Sequence, residues 1–351
     1  MPRLALVMIA RNAADSIARC LESVKPHVDE MIVLDTGSTD ATASIASTMG
    51  ARVYHFEWVD DFSAARNEAL AHSSADWNLI LDADEWIEGN PEQLSPAVLG
   101  KGPFIGVIPV SSRFDIGGRE ECSISWISRI LPKGVRYRGR IHEQPVSDLV
   151  RIRLPIEIGH DGYKHDKLSA KKDRNEALLL QALEEDPSNA YYMYQLGKMY
   201  EICEEYTTAV KYFGEALQRA NSGDSFRHDL TVRTIFSLKK AREYELAVDL
   251  AGKELPFWGH SPDFFFALGD LLLDLATLNP ATAHPNLLPM IEASWLKCLE
   301  IGDQPGLDGS VKGRGSHLAA YNLSVLYDGV GNKDKAAFYR DMSARMRETS
   351  T

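Results

Sequence analysis

EMIVLDTGSTDATASIASTMG, Glu30 to Gly50, reads as a strand, a turn and a helix in direct succession. EMIVLD is an apolar run of strand length, as expected of a strand buried in a sheet. It ends at Asp35 and enters TGSTD. Thr39-Asp40 then opens the helix ATASIASTMG, and Gly50 suits its C-terminus. The same order recurs on both sides. LALVMIA (Leu4 to Ala10) is a strand, followed by the amphipathic DSIARCLESVKP with Ile17, Cys20, Leu21 and Val24 at helical spacing and Pro26 as its stop. ARVYHFEW gives a third strand, AARNEALAHS a helix and WNLILDAD a fourth strand. Such alternation predicts an α/β fold with a mostly parallel sheet, whose ligands sit beyond the carboxyl ends of the strands. The loops RNAAD, DTGSTD and DADEW are therefore expected to converge on one crevice.

From about Lys101 to His160 the pattern is β-rich. FIGVIPV, SISWISRILP, VRYRGRIHEQPV and VRIRLPIEIGH read as short strands that extend the sheet and form the acceptor side of the crevice. From about Lys167 the strands vanish. AYYMYQLGKMYEICEEYTTAVKYFGEALQRA carries Leu196, Gly197, Tyr200, Tyr206, Ala209, Phe213, Ala216 and Leu217 at the spacing of the tetratricopeptide repeat (TPR), where small residues let two antiparallel helices approach closely. Leu323, Tyr327 and Ala336 keep the offsets of Leu196, Tyr200 and Ala209; YELAVDLAGKEL and ALGDLLLDLA are weaker copies. The expected organisation is a catalytic domain at 1–165, a linking helix at 166–186 and an all-α, TPR-like repeat domain at 187–351. Stacked repeats suit a peptide or protein partner. A scaffold for the first domain, or a homodimer contact, accounts for them as well.

LILDADEWIEG, Leu79 to Gly89, sets Asp82, Asp84 and Glu85 directly behind an apolar run. Burying that much negative charge requires a metal, an arginine or water to compensate it. In extended backbone residues i and i+2 point the same way, so Asp82 and Asp84 can face one ligand. Hard oxygen donors of this kind suit Mn2+ or Mg2+, which in turn neutralise phosphate oxygens. An isolated Asp-x-Asp is common in solvated loops; its place after a buried strand, in register with DTGSTD, favours function. DTGSTD itself offers donors for a nucleotide base and ribose. Thr39 and Asp40 read as helix caps, whereas Asp35 has no cap to make and reads as functional. FSAARNEA puts Arg66 at a helix start, to pair with a diphosphate, an aspartate or an ordinary salt-bridge partner. His142-Glu143 in GRIHEQP and His160 in IEIGHDGY remain; a histidine after a β-run is a third metal ligand or a structural residue.

With 38 basic and 50 acidic residues the net charge is −12, unsuited to general nucleic-acid or anionic-membrane binding. No apolar run approaches the ~20 residues of a membrane span, and MPRLALVMIARN lacks a signal-peptide cleavage site. Cys20, Cys122, Cys203 and Cys298 have no metal or disulfide-framework spacing, so free thiols in a reducing cytoplasm are expected.

IARN (Ile9 to Asn12), VLDTGSTDAT (Val33 to Thr42), DDFSAARNEAL (Asp60 to Leu70) and LDADEW (Leu81 to Trp86), in this order, resemble the family 2 glycosyltransferases with the Rossmann-like GT-A fold. With GRIHE, IGHDGY and the helical repeats, the chain is similar to the subgroup that includes the sublancin S-glycosyltransferase. The resemblance implies a nucleotide-sugar donor, with a family bias toward uridine. Ala10, Arg11, Asn12 and Asp35 would hold base and ribose, Asp82 the ribose or the metal, Asp84 the Mn2+ or Mg2+ that bridges the diphosphate, and His160 would complete the metal site. Thr36 departs from the family, many members of which have a second aspartate there. A single inverting displacement follows, with a carboxylate deprotonating the acceptor. Glu143 is the expected base, with His142, Glu120 and Glu121 as rivals. A peptide or protein acceptor is expected; a glycan or lipid acceptor, or an adaptor with a degenerate catalytic half, is the alternative.

Overall fold

The computed structural model describes residues 1–116, 119–161, 165–278 and 280–348, with side chains described for the same residues except 114–116, 119–120, 165–171 and 280–285. Glu120 and the Gly162-Tyr163 pair of IGHDGY thus lie outside the described side chains. Two compact units divide the chain, Met1–Glu185 and Asp186–Thr351.

The first unit opens with β1 (Leu4–Ala10), α1 (Ile17–Val24), β2 (Glu30–Asp35), α2 (Thr42–Thr48), β3 (Arg52–His55), α3 (Phe62–Ala71) and β4 (Trp77–Ile80). β5 (Glu85–Gly89), the short α4 (Pro96–Leu99), β6 (Ile105–Ile116) and β7 (Arg119–Pro132) follow. β8 (Arg136–Arg138), β9 (Gln144–Val146), β10 (Arg151–Arg153), β11 (Glu157–His160) and α5 (His165–Glu185) complete it. The sheet runs β3-β2-β1-β4-β7-β6-β11-β5, with β10 beside β6. β1 to β4 are mutually parallel, as alternation with helices dictates. Successive residues of β1 point to opposite faces. Leu4, Leu6 and Met8 pack with Ile17, Cys20, Leu21 and Val24 of α1, while Ala5 and Val7 pack with Ala65, Ala69 and Leu70 of α3. Each large side chain so buried contributes roughly 1.5–3 kcal/mol.

β7 runs antiparallel to β4 and to β6, and β11 runs parallel to β6. The carboxyl ends of β1, β2, β4 and β11 therefore lie at the same edge of the sheet. VRYRGRIHEQPV, expected to extend the sheet, instead forms the separate hairpin β8–β9. The reason is a side chain that mimics a strand. Asn67 on α3 accepts from Tyr137 N–H at 2.8 Å and donates to Tyr137 O at 2.9 Å, pairing the backbone of β8.

The helices of the second unit are α6 (Ala190–Ile202), α7 (Tyr206–Arg219), α8 (Arg227–Lys240), α9 (Tyr244–Trp258), α10 (Pro262–Leu278), α11 (Pro280–Ile301), α12 (His317–Gly329) and α13 (Lys333–Glu348), with a two-residue strand at Ser310–Val311. Small residues do what their spacing predicts. A Cβ on Gly197 would stand 2.3 Å from the Phe213 ring, and one on Gly269 2.5 Å from Trp295 Nε1. Tyr200 stacks on Tyr212 and Tyr327 on Tyr339, each pair with centroids 5.5 Å apart. The α6–α7 and α12–α13 hairpins are thus built to one plan. Among the described residues all four cysteines are free, and no helix is long and apolar enough to cross a membrane.

Candidate active site

The loops after β1 and β2 are latched together. Asn12, in the left-handed region at φ 50°, accepts from Thr39 N–H at 2.8 Å, and its own N–H donates to Ser38 Oγ at 3.0 Å. Asp35 Oδ1 accepts from Gly37 N–H at 3.0 Å and Ser38 N–H at 2.9 Å, which shapes the turn. Asp35 Oδ2 is buried without a hydrogen-bond partner among the described residues. Thr36, the departure from the family pattern, donates its hydroxyl to Ala10 O at 3.2 Å and so ties β2 to β1. The helix-capping reading needs correction for Thr39 alone, since Asp40 accepts from the first N–H of α2. Thr39 is held by Asn12, and Asp40 joins the loops by accepting from Thr42 N–H at 3.0 Å and Ala14 N–H at 3.2 Å. Arg11 is exposed.

The backbone does not stay extended through Asp82-Ala83-Asp84. β4 stops at Ile80, Glu85 N–H donates to Asp82 O at 3.0 Å, and β5 starts at Glu85. The turn breaks the extended geometry on which the i, i+2 alignment rests, and the two aspartates take different partners. Asp82 faces arginines. Arg66 Nη2 donates to Oδ1 at 2.6 Å and Arg129 Nη2 to Oδ2 at 2.8 Å. Arg129 also donates to Glu85, which accepts from Asp82 N–H at 2.9 Å, and Arg66 Nε donates to Glu143. Tyr137 lies beneath, its ring centroid 5.8 Å from the Arg66 guanidinium. Burial raises the cost of ionising Glu85 and Tyr137. It pushes the Glu85 carboxyl up to about 7 despite Arg129 and the Tyr137 hydroxyl up to about 12. For Asp82 the cost of burial is overcome by Arg129 and Arg66, which hold it well below the usual carboxylate range. Arg66 itself lies inside α3, not at its start, because Asp61 caps the helix by accepting from Ala64 N–H at 2.9 Å.

Asp84 stands apart from this network. Its Oδ2 is 3.8 Å from His160 Nε2, the two side chains being 20% and 21% exposed. Strand register brings them together. Glu88 is bulged out of β5, so that His160 on β11 falls opposite Glu85. Ser112 Oγ, 3.0 Å from His160 Nδ1, turns Nε2 toward Asp84. A separation of 3.8 Å is too long for a hydrogen bond. It lies within the ~4.2 Å that two ~2.1 Å bonds to one cation can span. Among the described residues no group of three or more His, Cys, Asp or Glu side chains is placed to hold a metal. A two-residue set still fits Mn2+ or Mg2+, since a cation of this kind keeps water and phosphate oxygens as its other ligands. Glu143 and His142 sit in the loop that closes the β8–β9 hairpin. His142 is held at φ 51°, a strained conformation of the kind that clusters at functional sites, and its carbonyl accepts from Gln144 Nε2 at 3.2 Å.

Residues 5–112 match the family described as Glycosyl transferase family 2. The chain carries an N-terminal family 2 glycosyl transferase domain. It is 31% identical, over 71% of its length, to a TPR repeat-containing protein of Synechococcus elongatus, and covers 65% of that protein. It is 25% identical, over 65% of its length, to the SPbeta prophage-derived glycosyltransferase SunS of Bacillus subtilis, covering 56% of it. A solved glucosyl-3-phosphoglycerate synthase from Mycobacterium tuberculosis, in complex with Mn2+, uridine-diphosphate and glucosyl-3-phosphoglycerate, is 29% identical over 34% of this chain and 46% of that chain, with a TM-score of 0.27. The match to the glycosyl transferase domain takes in Asn12, Asp35, Arg66, Asp82 and Asp84. Arg129, Tyr137, Glu143 and His160 lie beyond it, in the remainder of the first unit. Arg129, Tyr137 and Ser112 were missed in the sequence. Only the alternation in SISWISRILP, which sets Arg129 on one face of its strand, hinted at the first.

Proposed function

We propose that this chain is an inverting glycosyltransferase moving a hexosyl group from a nucleotide sugar, a UDP-sugar, to a peptide or protein side chain. The observation that carries the reading is the Asp84–His160 pair at the carboxyl edge of a family 2 glycosyl transferase sheet, 3.8 Å apart and outside the arginine-neutralised cluster. Asp84 and His160 would hold the Mn2+ or Mg2+. When bound, that cation supplies positive charge to the departing diphosphate. Asp35 Oδ2, buried and lacking a donor among the described residues, suits a hydroxyl or N–H of the nucleoside. Glu143 is our base: it takes the proton of the acceptor as the acceptor attacks the anomeric carbon, and Arg66 fixes its orientation. Asp82, engaged at both oxygens, anchors Arg66 and Arg129. Stacked helical hairpins support a protein acceptor, because they offer an extended surface to a peptide.

The test offers a panel of nucleotide sugars and Mn2+ to the purified protein with host lysate, and reads products by mass spectrometry. Asp84→Ala should abolish metal-dependent donor turnover while leaving the circular dichroism of the fold unchanged. Turnover retained in that variant would sink the metal assignment. No turnover with any donor, together with no nucleotide-dependent thermal shift, would favour an adaptor.

A further inference from the structure

Arg19 belongs to none of the sequence motifs. It stands on α1, whose buried face is Ile17, Cys20, Leu21 and Val24, and its own side chain is 45% exposed. Its guanidinium carbon lies 3.7 Å from the centre of the Trp86 ring, and Nη2 donates to Asp161 Oδ2 at 2.5 Å. Both partners adjoin the candidate metal ligands. Trp86 lies two residues after Asp84, on β5, and Asp161 directly follows His160 at the end of β11.

The two strands are locked face to face at this point. Gly159 pairs with Trp86 and His160 with Glu85. The Trp86 ring covers Gly159 so closely that a Cβ there would come within 2.3 Å of it. Asp161 N–H donates to Asp84 O at 3.3 Å. Farther along α1, Ser23 Oγ accepts from Ile87 N–H at 3.0 Å. One helix thus grips β5 at Trp86 and Ile87 and reaches β11 at Asp161. Among the described residues Arg19 links Trp86 of β5 to Asp161, just past the end of β11, with a flat cation stacked on the indole and a fork turned to the carboxylate, which a lysine cannot reproduce.

The geometry points to Arg19 as a positioning residue: by stacking on Trp86 and pairing with Asp161 it holds β5 and β11 so that Asp84 and His160 keep the spacing a divalent cation requires. This rests on the reading of that pair as a metal site. Because Arg19 is exposed, its removal leaves the α1 core intact and acts on the spacing.

The experiment measures Mn2+ binding to the full-length protein at saturating UDP, from the electron paramagnetic resonance of free Mn2+. Arg19→Ala and Asp161→Asn should each weaken Mn2+ binding about tenfold, the scale seen when groups that orient metal ligands are removed. Arg19→Lys should fall between them and wild type. Turnover at saturating Mn2+ should return close to the wild-type value while the half-saturating Mn2+ rises by the same factor, a split that general loss of structure does not produce. Should Arg19→Ala fail to fold, Asp161→Asn decides. Wild-type Mn2+ affinity in folded variants overturns the proposal and leaves the metal reading intact. A wild-type protein that binds no Mn2+ in the presence of UDP overturns the metal reading, and the proposal with it.

Discussion

Arg129 reaches both Asp82 and Glu85 from a buried position on β7. Buried guanidinium–carboxylate pairs such as Arg129–Glu85 add little net stability, yet removing one partner strands the other in a medium that cannot solvate it. Arg129→Ala should therefore cost roughly 3–5 kcal/mol in urea denaturation. Arg129→Ala with Glu85→Gln should recover part of that loss, since the glutamine leaves no charge behind. Equal loss in the single and double variants would mean that packing, not charge, sets the cost. At the same scale, Asp84 and Asp82 show how neighbouring carboxylates acquire different work. One turn of backbone hands Asp82 to arginines and leaves Asp84 facing His160.

Among elements, the helical hairpins make the plainest test. Glu204 at φ 60° and Arg242 at φ 64° occupy the left-handed turn residue between α6 and α7 and between α8 and α9, where the α12–α13 turn has Gly331 at φ 80°. In all three the next N–H closes the turn: Glu205 to Tyr200 O, Glu243 to Leu238 O and Asn332 to Tyr327 O, at 2.8, 2.9 and 2.8 Å. A side chain in this conformation costs about 1 kcal/mol that glycine avoids. Glu204→Gly and Arg242→Gly should each stabilise the protein by up to about that amount, read as a rise in thermal midpoint; a fall would show that Glu204 or Arg242 works through its side chain. The elements that were legible in the sequence were those fixed locally. Periodicity revealed β1 to β4, and the spacing of Gly197 and Phe213 revealed their helix pair. The elements that were not legible depend on distant partners. Asn67 pairs a strand 70 residues away, and Arg66 meets Glu143 77 residues on, separations at which no spacing rule operates. Asp84 and His160 were both candidates, but the bulge at Glu88 that aligns them left no mark in the pattern of β5.

For the molecule as a whole, stability should follow the carboxylates, as befits a net charge of −12. Asp229 in α8 illustrates the sign. Burial alone would raise it, but Arg233 and Lys198, with the Tyr194 hydroxyl, hold it well below the usual carboxylate range. A carboxylate depressed in the folded state contributes stability above the unfolded value of ~3.9 and loses it as pH falls toward the folded one. The wild type should thus exceed Asp229→Asn in stability at pH 7, with the gap closing below about pH 4; a gap independent of pH in denaturant titrations would contradict this. One feature of the first unit also bears on how such chains diverge. Side chains alternate along β11, with Gly159 under Trp86 and His160 opposite Glu85. A single-residue slip would turn the histidine to the far face and drive a side chain into the indole. An insertion or deletion between 157 and 161 would therefore break the Asp84–His160 alignment, which substitutions around this strand pair can leave standing.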